Sequence, residues 1–452
     1  MYEYGAISLI PTAVVLLLAI WSHRTVESVI AGSIVAFLIT SHEQFLYSLS
    51  QAALSVMRDD ATGWVLLVCG LYGSFIALLV KGGGAQAFGR LVSSHVNSKR
   101  ASLLWTWALG LVIFLDDYLN SLTVSSSMKQ VTDEHKTSRE MLSYVVDSTA
   151  APICLIIPIS TWAIYFASLL EKNGVAEQGE GIDVFIQSIP YMFYPLLAVV
   201  IVPLVIVGII PLVGRLKLAE QRAELTGQVV PSGSEHIDIE NSVPSATDES
   251  GGSSLFFLPL ASLIFFTVWF DIDVLVGVMA GILTTLLQYL FMGVLRPVDM
   301  FDTMMDGLKT MIPVLTILVS VFIFVEANNA IGMSQYVIGS VAPYMSAWSL
   351  PVLTFVCMAF ISFTTGSNWG VIAIAIPVVF PLALELGVSV PVMAGALFSA
   401  SGFGSHACFY SDSTVLSAQG SGCASYDHAA SQFPYALLAA GLSAVGYLVI
   451  SV

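Results

Sequence analysis

Charge is what this sequence has least of. Of its 452 residues only 10% are Asp, Glu, Lys or Arg, where a soluble domain carries about 25%. That supply is too small to cover a water-facing surface, so an ordinary soluble enzyme is excluded. The fifteen Lys and Arg residues form no basic stripe, which removes nucleic acid as a partner. The five cysteines (Cys69, Cys154, Cys357, Cys408 and Cys423) never form a CxxC pair; they read as small buried hydrophobes rather than zinc ligands or a disulfide framework. There is no GxxxxGK[ST] loop to cradle ATP phosphates, and no GxGD block for an intramembrane aspartyl protease. No basic residue precedes the first apolar run and no small-residue cleavage site follows it, so Ala6–Trp21 reads as a spanning helix and not as a signal peptide. No cofactor is implied, and no enzymatic activity is expected.

What is abundant is apolar length. The chain is 56% hydrophobic with a mean hydropathy of +0.86, and a spanning helix needs about 20 apolar residues. Ala6–Trp21, Trp64–Val80, Tyr191–Leu212, Leu255–Phe270 and Val274–Met292 supply such runs. Lys and Arg are retained on the cytoplasmic side, so the loop with Lys81, Arg90, Lys99 and Arg100 is the inner anchor. From it, Arg24 and the Lys129–Arg139 stretch fall inside, while Met57–Asp60 and the acidic Glu171–Asp183 loop fall outside. Only Arg58 and Lys172 then lie outside. Residues 103–128 begin and end on the same side, which predicts a re-entrant hairpin. Residues 143–170 predict a crossing with a break inside. Residues 214–254, polar and without apolar periodicity, predict a flexible cytoplasmic linker.

The second half, 255–452, matches the first, 1–213. Gly84 with Gly332, Phe88 with Tyr336 and Asn120 with Asn368 recur at a spacing of 248, and the halves start on opposite sides of the membrane. The fold class expected is therefore an all-α integral membrane protein of two inverted repeats. It would have about ten transmembrane helices, two re-entrant hairpins (103–128 and 349–385) and two broken helices (143–170 and 391–418). Inverted repeats with discontinuous helices at the midplane are a secondary-transporter design, with the lipid bilayer as the surrounding partner.

Four polar clusters lie at membrane depth. They are FLDDYLNSLT (Asp116, Asp117, Asn120, Ser121, Thr123), DSTAAPICLIIPIS (Asp147, Ser148, Thr149), FTTGSNWG (Thr364, Thr365, Gly366, Ser367, Asn368) and GFGSHACFYSDST (His406, Asp412, Ser413, Thr414). A carboxylate at the bilayer centre costs about 2.5–3.5 kcal/mol on insertion scales, so such groups persist where they bind or titrate. Carboxylate, hydroxyl, amide and freed carbonyl oxygens suit a hard cation, with Asp116, Asp117 and Asp147 as the candidate Na⁺ ligands. Glu326, Asn328 and Asn329 read as capping residues near the outer surface. Asp427 and His428 read as solvated loop residues, and the Trp and Tyr residues as interfacial anchors.

These clusters resemble the NhaC-type Na⁺/H⁺ antiporter family of the wider ion-transporter superfamily. The resemblance runs over Gly63–Ala167 and Lys309–Ala440. FLDDYLNSLTVSSSM with SREMLSYVVDSTAAPICLIIPIS is its most specific part, and TTGSNWGVIAIAIP, SDSTVLSAQGSGC and FPYALLAA add to it. It implies Na⁺/H⁺ antiport at a bacterial inner membrane, an elevator-like moving unit and a homodimer. It also implies a GDHCSPISDT-like block, where this chain reads GSHACFYSDST, with Ser405 at the acid position. Because similar proteins include malate/lactate-like and amino-acid exchangers, a small organic substrate coupled to Na⁺ or H⁺ is the alternative.

Overall fold

Lipid offers no hydrogen bonds, so uncharged apolar runs must satisfy their own backbone as helix. A computed structural model of the protein describes residues 4–22, 24–84, 87–88, 96–234, 237, 252–366 and 368–450, and these are helical with no strand among them. The first half runs α1 (Ile10–Ser22), α2 (Thr25–Ser41), α3 (Phe45–Arg58), α4 (Asp60–Lys81), α5 (Lys99–Val112), α6 (Asp117–Glu134), α7 (Arg139–Ser148), α8 (Ala151–Ile156), α9 (Thr161–Lys172), α10 (Gly181–Ser188) and α11 (Phe193–Val207). After α12 (Gly214–Thr226), the second half runs α13 (Ser254–Trp269), α14 (Val274–Met292), α15 (Pro297–Ile331), α16 (Met333–Val341), α17 (Leu350–Thr365), α18 (Trp369–Glu385), α19 (Val390–Ala407), α20 (Asp412–Ser421) and α21 (Ser425–Ile450).

Among the described residues five helices are long and apolar enough to cross a membrane: Val26–Arg58, Thr62–Lys81, Val274–Met292, Pro297–Ile331 and Ser425–Ile450. Two bent pairs raise this to seven, Arg139–Ile156 with Thr161–Glu171 at 40° and Gly181–Tyr191 with Phe193–Val207 at 52°. A total of ten crossings would need the shorter apolar helices as well.

Each polar cluster coincides with an interruption. Between α5 and α6 the chain leaves helix at Ile113 and re-enters where Asp116, in extended conformation, caps α6. Proline sets the next break: the residue before a proline avoids the helical region, and Ile157, before Pro158, is extended at φ −93° and ψ 121°. Ser160 then caps α9. Gly366 ends α17 with φ +70°, and the Tyr410 ring lies where a side chain would project. Only glycine meets both demands.

The repeat is present in the order of the elements, but not at the expected spacing of 248. The starts of α6 and α18 (Asp117, Trp369) are offset by 252, those of α7 and α19 (Arg139, Val390) by 251, and those of α9 and α20 (Thr161, Asp412) by 251. A hydrogen bond repeats in the same register: the Ser160 hydroxyl donates to the Cys154 carbonyl at 2.5 Å, and the Ser411 hydroxyl to the Ser405 carbonyl at 2.5 Å. Asn368 is thus the counterpart of Asp116, not of Asn120. A three-residue slip leaves the same helix face in view, which is why the sequence landmarks misled.

Two large apolar cores stand beside two smaller ones among the described residues. One joins α4 to α13, α14 and α15; the other joins α7–α11 to α17–α19 and α21. The polar helices α6 and α20 lie between them and pack on each other. The expected flexible linker, 214–254, instead begins with an ordered helix. Leu216, Ala219 and Ala223 form a short buried stripe on α12, and charges at its middle anchor it. Glu220 accepts from Ser138 N at 2.9 Å and pairs with Lys99 at 2.5 Å, while Arg222 donates to both Glu140 oxygens at 2.9 Å. Residues 235–236 and 238–251 lie outside the described part.

Candidate functional site

One side chain ties the interruption between α5 and α6 to the junction of α7 and α8. Asn120, one turn into α6 and fully buried, directs its Nδ2 at the carbonyls of Gly110, Ile113 and Thr149, each at 2.7 Å. Those carbonyls lost their helical partners at the breaks, and buried carbonyls need a donor. Thr161 N donates to the Leu115 carbonyl at 3.0 Å and completes the crossing.

Three carboxylates gather here, all buried. Asp116 Oδ1 accepts from the amides of Tyr118 and Leu119, and its Oδ2 from the Thr161 hydroxyl at 3.0 Å. Asp117 Oδ1 accepts from Trp162 Nε1 at 3.0 Å, and its Oδ2 has no hydrogen-bond partner. Asp412 comes from the other repeat: Tyr118 donates to its Oδ2 at 2.6 Å and Asn368 to its Oδ1 at 2.9 Å. Every donor in this set is neutral. Asn120 Oδ1 is likewise without a partner, one helical turn from Asp117 on the same face. These open oxygens are of the type a hard cation takes. Among the described residues no group of three or more His, Cys, Asp or Glu is arranged to hold a metal ion by itself.

Asp147 stands apart from Asp116 and Asp117, so the three candidate cation ligands fall into two sets. Its Oδ2 accepts from His428 Nε2 at 3.0 Å, Gln432 Nε2 at 2.6 Å and the Thr414 hydroxyl at 3.3 Å, and its Oδ1 from Ser417 at 3.4 Å. Ser417 also donates to Ser121 Oγ at 3.0 Å. His406 lies alongside, bonded through Nε2 to Ser148 at 2.9 Å and through Nδ1 to the Tyr194 hydroxyl at 2.6 Å, while Gln432 donates to its carbonyl. Helix α20 therefore serves both sets: Asp412 at its start faces the first, Thr414 and Ser417 the second.

The remaining expected residues are supporting. Ser413 Oγ lies 2.8 Å from Ser405 Oγ, both fully buried. Thr364 offers its carbonyl to the Tyr410 hydroxyl at 2.6 Å, and the Thr365 hydroxyl turns back to Ile361 O at 2.8 Å. Thr149 turns its hydroxyl back to Val145 O at 3.0 Å while its carbonyl serves Asn120. Thr123 is buried but lies about 200° round α6 from Ser121. Ser367 lies outside the described residues.

Sequence reasoning missed several members. His428, read as a solvated loop residue, is fully buried within α21 and bound to Asp147. The signal was there: His428 and Gln432 are four apart and share a helix face. Tyr118, Trp162 and Tyr194, read as interfacial anchors, each hold a site residue. Asn328, read as a solvated cap, is buried and accepts from Thr12 at 3.3 Å, whereas Glu326 is exposed.

Glu326 lies at the wall of a crevice of about 430 Å³ that reaches Asp412, Asn368, Tyr118, Trp64 and Trp369. Farther along α20 a second cavity of about 340 Å³ reaches Val415 and Gln419 from the side of Glu27 and Lys309.

Comparison with known proteins bears on this arrangement. An uncharacterized protein of Haemophilus influenzae is 28% identical over 493 aligned positions, covering 98% of this chain and 90% of its own length. The solved Neisseria gonorrhoeae MtrF, described within a class of antimetabolite efflux pumps, aligns over 97% of this chain and 94% of its own at 11% identity, with a TM-score of only 0.38. The sequence model of the Na⁺/H⁺ antiporter family matches residues 153–452, which include α9 and the whole second repeat but not Asp116, Asp117 or Asp147. With that match over most of its length and its many apolar helices, this chain is a multi-pass membrane protein and secondary transporter that belongs to the Na⁺/H⁺ antiporter family.

Proposed function

We propose that the protein exchanges Na⁺ for H⁺ across a bacterial inner membrane by alternating access. The observation that carries this is the set of buried carboxylates Asp116, Asp117 and Asp412, whose hydrogen-bond donors (Thr161, Trp162, Tyr118 and Asn368) are all neutral. Hydrogen bonds from neutral groups do not cancel charge, so a carboxylate here is neutralised either by a bound cation or by taking up a proton. Na⁺ and H⁺ then compete for the same oxygens, and that competition is the exchange. Asp147, held by His428, Gln432 and Thr414, is the second carboxylate assigned to the exchange. The crevice and the second cavity approach α20 from its two ends, which supports access from either side in turn.

The test is reconstitution of the purified protein in liposomes carrying an internal pH dye. A pulse of external Na⁺ is expected to alkalinise the lumen, as Na⁺ enters and H⁺ leaves in either orientation of the protein, with no response to K⁺ at equal strength. Liposomes that exchange labelled lactate, malate or an amino acid without any Na⁺-driven proton movement overturn this reading. A second reading, exchange of a small organic solute coupled to Na⁺ or H⁺, is favoured by one observation: the crevice, at about 430 Å³, has the size of a small-molecule pocket.

A further inference from the structure

The walls of the crevice carry information that a Na⁺ site does not need. Trp64 and Tyr118 line it as one pair, with ring centroids 6.2 Å apart and planes tilted by 39°; Tyr165 and Trp369 line it as another, at 4.6 Å and 59°. The charged groups reached by the crevice are Asp412, Asp59 and Glu326, and no Lys, Arg or His is among its described lining residues. None of the three acids forms an ion pair among the described residues: Asp412 is held by Tyr118 and Asn368, and Asp59 accepts from Thr62 at 2.9 Å.

Three features act together. A wall with one sign of charge concentrates cations and excludes anions. Aromatic faces add attraction for cations whose charge is spread over carbon-bearing groups, as in ammonium ligands held by aromatic cages. The volume holds on the order of a dozen waters, each taking about 30 Å³ of liquid, far more than a bare metal ion requires. A carboxylate or phosphate ligand would find no basic partner and would face three acids.

We propose that this crevice binds a small organic ammonium ion, and that such a cation is a further substrate of the transporter, drawn toward Asp412 between the paired rings. The inference rests on the reading of the crevice as an entrance to the ion site. It narrows the organic alternative from acids to cations.

The probes are choline and tetramethylammonium chloride, with sodium lactate as the anionic control at matched ionic strength. Binding is read from the intrinsic tryptophan fluorescence of the full chain in detergent, and transport from labelled choline exchange in liposomes. A saturable choline response is expected. It should weaken about three- to thirtyfold in Trp369→Leu and recover in Trp369→Phe, which keeps an aromatic face. Because Trp369→Leu also removes ring contacts to Trp162 and Tyr165, Glu326→Gln at the exposed rim serves as the second variant, with binding weakened about two- to fivefold. Na⁺-driven proton flux with no saturable response to either ammonium ion overturns the inference and leaves the antiport reading standing. Choline exchange without Na⁺-driven proton flux supports the inference and removes the antiport reading. Saturable lactate binding overturns the inference.

Discussion

Replacement of Asp147 by Asn separates the chemistry of this carboxylate from its role in holding the fold. The side chain keeps its shape, so the amide oxygen occupies the place of Oδ2 and retains the donors His428, Gln432 and Thr414. The new amide N–H group takes the place of Oδ1, where the Ser417 hydroxyl, 3.4 Å away, turns to accept. Three charge-assisted bonds become neutral ones, a loss of about 1 kcal/mol each. Against this, a fully buried carboxylate no longer has to be kept out of water, a relief of several kcal/mol. The two terms nearly cancel, and the variant is expected within about 2 kcal/mol of the parent. Asp147→Ala instead leaves the imidazole, amide and hydroxyl donors facing nothing, at a cost of about 3–5 kcal/mol. The assay pairs thermal unfolding in detergent with Na⁺-driven proton flux in liposomes. Asp147→Asn should melt close to the parent and show the flux of empty liposomes, while Asp147→Ala should lose both stability and flux. Parental flux in Asp147→Asn would refute the assignment of this carboxylate to ion exchange. A melting temperature as low as that of Asp147→Ala would refute the energetic argument.

Three other outcomes follow from the same contacts. Asn120→Leu removes the one donor shared by the Gly110, Ile113 and Thr149 carbonyls; its two N–H groups serve three acceptors, so a loss of about 2–5 kcal/mol is expected, read as a lowered melting temperature. Arg222→Glu places like charges together at Glu140, where both guanidinium bonds are 2.9 Å. It should cost about 1–3 kcal/mol and hasten tryptic cleavage within α12, and adding Glu140→Arg should reverse most of that acceleration; no reversal would mean that the ion pair does not hold α12. Gly404→Val drives a side chain into Ser362 across the contact of α17 with α19. A loss of at least about 1–3 kcal/mol is expected, and an unchanged melting temperature would show that these helices are free to separate.

The positions of the breaks were legible because the residues that interrupt a helix act locally. Pro158 acts on its neighbour Ile157, Gly366 on its own φ, and Asp116 on the two amides that follow it. The breaks before α18 and α20 could be read in the same way. The register of the repeat could not, because a slip of three or four residues leaves a helix face in place and the sequence contains matching residues at both offsets. Nor could the docking of α12, whose buried stripe of Leu216, Ala219 and Ala223 is too short and too small to register as an apolar period.

By itself the sequence determined that this chain lives in lipid, where its helices are interrupted, and which carboxylates lie at those interruptions. These follow from composition and from forces between residues a few positions apart. Only the tertiary structure decided which carboxylates belong together. Asp412 meets Tyr118 across 294 residues and Asp147 meets His428 across 281. Such pairings depend on how α6, α7, α20 and α21 pack, and no local pattern along the chain records that.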